Sequence, residues 1–193
     1  GVRLVGSEMC IRDRMYTDAD GNKHYYTDQT DNYLQKNYQL LLNHSFSTAW
    51  NLNVALHYTK GDGYYEEYKP GSSLVEYGLK PFNPDGTETN ESDLVRQKKM
   101  DNKFGGGVFS LNYTGNRLTA SLGGGLNQYR GNNFGKVTWV KNYIGILSPE
   151  HEYYRNKSKK TDGNIYLKAN YDLTSTLSAY ADLQYRHIDY TID

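Results

Sequence analysis

The chain has 193 residues, enough for one domain, and a formal net charge of +0, which excludes the basic footprint of a nucleic-acid binder and a polybasic membrane-surface patch. Tyr (20) and Gly (19) far outnumber Phe (5) and Pro (4); tyrosine joins a strand-forming apolar ring to a wet hydroxyl, which suits surfaces half apolar and half aqueous. No apolar run approaches the roughly 20 residues of a spanning helix, so this stretch is not a helical membrane protein, while a barrel with polar residues at every second strand position remains open.

Residues 1–14, GVRLVGSEMCIRDR, match neither the patterning nor the composition of the other residues of the chain. They resemble the translated adapter sequence found at the ends of some assembled sequencing fragments. Arg3, Glu8, Arg12 and Asp13 interrupt any signal-peptide apolar region, and the single cysteine, Cys10, lies here, so thiols carry no compartment signal. This tail is expected to be foreign and is left out of fold reasoning.

Residues 15–31 are polar and read as the end of a long loop. From Asn32 a strand begins: Leu34, Tyr38, Leu40, Leu42 and Phe46 share one parity, and Gln35, Asn37, Gln39, Asn43 and Ser45 the other, with Leu41 and His44 out of place. A short turn at 47–50 leads back into Leu52, Val54, Leu56 and Tyr58, opposed by Asn51, Asn53, His57 and Thr59. Side chains two residues apart share a face of a sheet, so each arm has an apolar and a polar face. Residues 61–93 come next, punctuated by Gly, Pro, Asp and Asn, without a persistent period.

The central hairpin runs through 105–126. Phe109, Leu111 and Tyr113 alternate with Val108, Ser110 and Asn112; after Thr114, Gly115 and Asn116, the Leu118, Ala120 and Leu122 set alternates with Thr119 and Ser121. Gly115-Asn116 is expected to supply the permissive backbone of a tight turn. Residues 131–161 form another long connection. A third hairpin closes the chain: Ile165, Leu167, Ala169 and Tyr171, a turn at 173–176, then Leu177, Ala179, Ala181, Leu183 and Tyr185.

The unit of strand, short turn and strand thus occurs three times, and the two connections between these hairpins are about thirty residues long. Structureless connections of that length are uncommon in compact soluble domains. Outer-membrane barrels have short periplasmic turns and long extracellular loops, and only a closed barrel satisfies all backbone groups in lipid without helices. The fold class expected is all-β: an antiparallel up-and-down meander, about six strands of a transmembrane outer-membrane β-barrel. Hairpins lie at about 32–60, 94–130 and 162–190, and long extracellular loops at about 61–93 and 131–161. The Leu/Val/Ala/Ile/Phe parity would meet lipid and the other a watery lumen. Trp50, Tyr113 and Tyr171 would form the periplasmic aromatic girdle, Tyr58 and Tyr185 the outer one. Because such barrels start at eight strands, six are an incomplete barrel, an internal fragment of a longer wall. The competing readings are strand-forming tyrosines at a soluble sheet edge and a soluble β-sandwich binding module.

The wording of residues 101–118 (DNKFGGGVFSLNYTGNRL), 122–139 (LGGGLNQYRGNNFGKVTW), 181–190 (ADLQYRHIDY) and 51–69 (NLNVALHYTKGDGYYEEYK) resembles the barrel of TonB-dependent outer-membrane receptors. The resemblance covers the chain from about Tyr16 onward. It implies residence in the outer membrane of a Gram-negative cell, contact with outer-membrane lipid, and a 22-strand barrel around a plug domain. The plug and the segment contacting the TonB complex would lie upstream. Uptake of a siderophore, cobalamin or glycan is implied, without enzymatic activity. The alternative is a plug-free outer-membrane channel or surface adhesin built from the same hairpins.

No catalytic set stands out. The five histidines, His24, His44, His57, His151 and His187, are scattered, without zinc-site spacing. Asp18, Asp20 and Asn22 have the flavour of a calcium loop but lack its Gly and bidentate Glu; an Asp-Gly turn is the plainer reading. The glycine triplets at 105–107 and 123–125 lack the helix of a phosphate cradle; they are expected to pair across the turn, curving the sheet or making room for a packed group. No cofactor or metal is expected. Ligand-contact candidates are the loop residues Tyr64, Tyr65, Tyr68, Trp139, Tyr153, Tyr154 and Arg155; His57, Lys168, Asp182, Gln184 and Arg186 are lumen-facing candidates.

Overall fold

The structure, a computed structural model, describes residues 15–18, 20–27, 30–80, 90–141, 143, 147–148 and 151–193. The tail at 1–14, expected to be foreign, lies outside the described residues, as do 81–89 of the expected first long loop.

Among the described residues eight strands form, in chain order β1 (Met15–Thr17), β2 (Lys23–Tyr25), β3 (Asp31–Ser45), β4 (Trp50–Ser73), β5 (Glu91–Thr114), β6 (Leu118–Val140), β7 (Glu152–Asp172) and β8 (Ser178–Ile192). β1 and β2 make a two-stranded ribbon, and β3 to β8 one antiparallel six-stranded meander in which each strand pairs with its sequence neighbours. The expected all-β meander is therefore what the chain forms. β3 and β8 are its edges and do not pair with each other.

The strand lengths depart from expectation. β4 and β5 have 24 residues each, β6 has 23 and β7 has 21. The stretches at 61–93 and 131–161, read as long loops, are strand over much of their length. Alternating hydrophobicity marks a strand only where one face is apolar; where both faces are polar, backbone pairing continues without that signal. Residues 15–31 hold the β1–β2 ribbon instead of loop. Asp18 closes its turn, accepting the N–H of Asp20 at 3.0 Å and of Asn22 at 2.8 Å, with His24 Nε2 at 2.7 Å. The His24 hydrogen bond, followed by that of the Asn22 backbone, holds the Asp18 carboxyl at about 2. These donors make it the carboxylate of an Asp-Gly turn.

The chain divides into two compact units, and the long strands run through both. One comprises the described parts of 1–34, 62–100 and 133–156; the other comprises 35–61, 101–132 and 157–193. The first contains every buried hydrophobic side chain among the described residues, and the second none.

In the second unit the three short turns lie side by side. Thr114 N–H donates to Ala49 O and Asp172 N–H to Arg117 O, both at 2.8 Å. Trp50 and Tyr113 pack there, ring centroids 4.8 Å apart. Gly115 has no left-handed φ; it leaves space in the turn, since a Cβ there would lie 2.7 Å from the Tyr113 hydroxyl. The β7–β8 register is unbroken from Ser158↔Ile192 to Asp172↔Ser178 and pairs Ile165 with Tyr185, Leu167 with Leu183 and Ala169 with Ala181. That face is uncovered: Leu183 is 69% exposed, and Leu40, Leu42, Leu56, Phe109, Leu122, Ile165 and Leu167 are exposed as well. The other parity carries an amide–hydroxyl ladder. Asn53 donates to Asn51 and Ser110, Asn112 to Ser110, and Ser121 to Asn112, at 2.8–3.3 Å.

A Cβ on Gly125 would lie 2.9 Å from Val108 Cγ1 and 3.3 Å from the Gly107 carbonyl, and one on Gly106 2.8 Å from Asn127 Cα, so the glycine triplets neighbour each other only at Gly107 and Gly125. They also make room for side chains: Gly105 lies against Tyr58, Gly107 against Leu56 and Gly123 against the Tyr166 ring.

Candidate binding site

The first unit is built on its own small core. Leu74, Tyr77, Leu79, Leu94, Val137 and Val140 form a buried cluster, with Tyr143, Leu147 and Tyr153 packed against it. A single 3-10 turn at Val75–Tyr77 brings Tyr77 inward and ends at Gly78, whose φ of 67° is left-handed. His151 Nε2 lies 2.5 Å from the Tyr77 carbonyl and ties His151 to this turn.

One polar group crosses this packing. Arg96 donates from Nε to Glu67 Oε1 at 2.6 Å and from a terminal nitrogen to the Tyr77 hydroxyl at 2.8 Å. Burial pushes the Glu67 carboxyl up, but the Arg96 hydrogen bond and charge outweigh it and leave the group below the usual carboxylate range. Tyr153 lies edge-on to Tyr77 at 4.7 Å and to Tyr154 at 4.9 Å. Its hydroxyl is buried without a hydrogen-bond partner among the described residues, and burial pushes it up to about 12.

A cleft of about 480 Å³ opens in the same unit, lined by Tyr16, Tyr26, Glu66, Tyr68, Val95, Thr138, Trp139 and Lys141. Its floor is Tyr68, buried and stacked on Tyr26 with centroids 5.4 Å apart and planes 20° apart, and tilted against Tyr16 at 5.6 Å. Burial, then the hydrogen bond to Asp93, pushes the Tyr68 hydroxyl well above the usual phenol range, so it stays a neutral donor. Asp93 also takes the Gly71 N–H at 3.0 Å and lies 3.4 Å from Lys141 Nζ. Glu66 is fixed by Gln97 at 2.7 Å and by the Tyr26 hydroxyl at 3.4 Å. Thr138 Oγ1 donates to the Val95 carbonyl at 3.3 Å. Trp139 is 45% exposed. The cleft thus offers aromatic faces, a positioned carboxylate and an ammonium, an arrangement for gripping a ring-bearing ligand.

Of the residues the sequence proposes for ligand contact, Tyr68 and Trp139 meet in this cleft. Tyr64 and Tyr65 do not line it and lie under Lys99 at 5.3 Å and Lys98 at 5.6 Å. Tyr153 and Tyr154 belong to the aromatic packing beside the core. Arg155 is held by Glu152 at 2.5–2.8 Å and spread over the Phe134 ring at 4.3 Å. Sequence reasoning misses Tyr16, Tyr26 and Val95 as liners, since residues 15–31 read only as the end of a loop. The three-residue strands that position the two tyrosines are too short for a period to show.

The lumen-face candidates lie in the second unit. Lys168 and Asp182 are register partners 3.6 Å apart across β7–β8. Arg186 forms a two-nitrogen pair with Asp162. Gln184 stands opposite Tyr166. His57 packs on Phe104 at 5.0 Å, its Nε2 buried without a hydrogen-bond partner among the described residues.

No protein-family model matches the chain, and no curated protein matches its sequence.

Proposed function

We propose that this chain is barrel wall and outer-loop structure of a TonB-dependent outer-membrane receptor that takes up a scarce solute, siderophore-bound iron, cobalamin or a glycan. The observation that carries the reading is the one-sided surface of the second unit. Six strands there present an uncovered apolar parity on one face and an Asn/Ser ladder with charged pairs on the other, and no hydrophobic core lies beneath either. A water-soluble sheet would bury its apolar face against a second layer; lipid accepts such a face as it stands. The first unit has its own core, and its aromatic cleft is the candidate solute site. The free edges of β3 and β8 require further strands of the same wall, and the gating plug belongs to another part of the protein.

The test uses the complete protein. Leu122→Arg places a guanidinium on the apolar face four residues from the turn at Leu118, at an expected cost of about 2–4 kcal/mol near the membrane midplane. It should abolish heat-modifiable migration in outer-membrane fractions, while Thr119→Arg on the opposite parity should assemble normally. Equal assembly of the two variants would overturn the reading. Growth of a deletion strain on defined iron, cobalamin or glycan sources then identifies the solute.

A further inference from the structure

The charges around the aromatic cleft of the first unit set what it can hold. Two charged residues line it, Glu66 and Lys141. Lys141 Nζ lies 3.4 Å from Asp93, whose carboxylate offsets the ammonium. Glu66 is held by two uncharged donors, the Gln97 amide at 2.7 Å and the Tyr26 hydroxyl at 3.4 Å. Two carboxylates against one ammonium leave an excess of one negative charge.

That balance and the size of the cleft sort the solute classes. A multiply anionic ferric chelate would meet the unbalanced carboxylate of Glu66, and like charges at close range repel. A corrinoid would leave most of its surface outside a cleft of about 480 Å³, whereas binding clefts enclose most of their ligand. An organic cation could use the rings and Glu66. It would leave the donors of Lys141, whose side chain is 47% exposed, without a role. A pyranose ring uses all of these groups. Its C–H face is flat and apolar and suits the exposed indole of Trp139. Its hydroxyls each donate and accept, so they call for an acceptor such as Glu66 together with a donor such as Lys141.

We infer that this cleft binds an uncharged glycan by its pyranose rings, and that Glu66 turns away glycans that carry carboxylate or sulfate groups. The inference rests on the cleft being the solute site of the proposed receptor.

The experiment is isothermal titration calorimetry on the complete protein in mild detergent. The probes are neutral gluco-, manno- and galacto-configured trisaccharides, the matching uronates, choline, cyanocobalamin, ferric enterobactin and ferrichrome. A neutral trisaccharide should bind, and at least about tenfold more tightly than its uronate. Glu66→Gln should weaken the neutral sugar about tenfold, because a hydrogen bond to a charged acceptor is the stronger one, and should bring the uronate level with it. Glutamine keeps an oxygen for Gln97 and Tyr26, and heat-modifiable migration checks that the variant assembles. Absence of binding by every neutral trisaccharide, tighter binding of any other probe, or discrimination that survives Glu66→Gln overturns the inference. A parent that enters the outer membrane and binds a ferric chelate or cobalamin instead sinks this inference and leaves the receptor reading standing. A parent that binds the neutral sugar yet fractionates with soluble proteins sinks the receptor reading and leaves the sugar cleft standing.

Discussion

Gly123 lies beneath the Tyr166 ring. A Cβ built there would fall 2.5 Å from Tyr166 Cζ and 2.7 Å from Cε1, with the hydroxyl closer still. Real methyl groups do not approach a ring so closely, so Gly123→Ala must displace Tyr166 or open the strands. Overpacking of this kind costs about 1–3 kcal/mol. The obstacle is a side chain, so removing the ring should relieve it: Tyr166→Ala in the Gly123→Ala background is expected to recover at least about 1 kcal/mol of coupling. Gly106 supplies the contrast. Its Cβ would meet the Leu126 carbonyl and lie 2.8 Å from Asn127 Cα, which is backbone. Gly106→Ala should therefore be as damaging, and no side-chain truncation opposite should rescue it. Equilibrium unfolding in guanidinium of the complete protein, on both single variants and the Gly123/Tyr166 double variant, gives the cycle. Additive effects at Gly123 and Tyr166 would show that the ring does not occupy this space and would refute the argument.

The first unit supports three further expected outcomes. The Glu67 carboxyl is held below its unfolded value by Arg96 despite partial burial, so its stabilisation is complete above about pH 4.5 and is lost as pH falls through the lower folded value; near-ultraviolet circular dichroism of the tyrosine packing should change on acidification, and Glu67→Gln should remove that acid-dependent change. Trp139→Ala should weaken binding of the transported solute at least several-fold, by loss of an exposed aromatic face, without altering heat-modifiable assembly; unchanged affinity in a binding titration would move the solute site elsewhere. Leu94 is 0% exposed and belongs to the buried cluster, so Leu94→Ala should cost about 2–5 kcal/mol and raise protease susceptibility in 74–80, whereas Leu183→Ala on the uncovered face should leave that susceptibility unchanged.

The all-β meander was legible because one parity of each hairpin is apolar. Ile165, Leu167, Leu183 and Tyr185 announce their shared face before any register is known, and the pairing Ile165↔Tyr185, Leu167↔Leu183 repeats it. The strand ends were not legible for the same reason in reverse. In 62–73 and 91–100 Tyr, Glu, Lys and Arg occupy both parities, so nothing in hydropathy separates a paired strand from a loop. The cleft was half legible: Tyr68 and Trp139 stood out as aromatics in a charged stretch, while Tyr16 comes from β1, a strand of three residues. The partnering of Arg96 with Glu67 and Tyr77 joins positions 19 and 29 residues apart, and no local pattern encodes it.

The division of buried residues joins these observations. Leu74, Leu94, Val137 and their neighbours give the first unit an interior of its own, so its cleft is held in place by ordinary hydrophobic packing in water. The second unit has no such interior, and its leucines cannot be stabilising it by contact with one another beneath a second layer. In the proposed reading lipid supplies that missing layer. In that reading Tyr58 and Tyr185, both exposed, follow the aliphatic residues of their strands, where rings with a polar hydroxyl suit the edge of an apolar band.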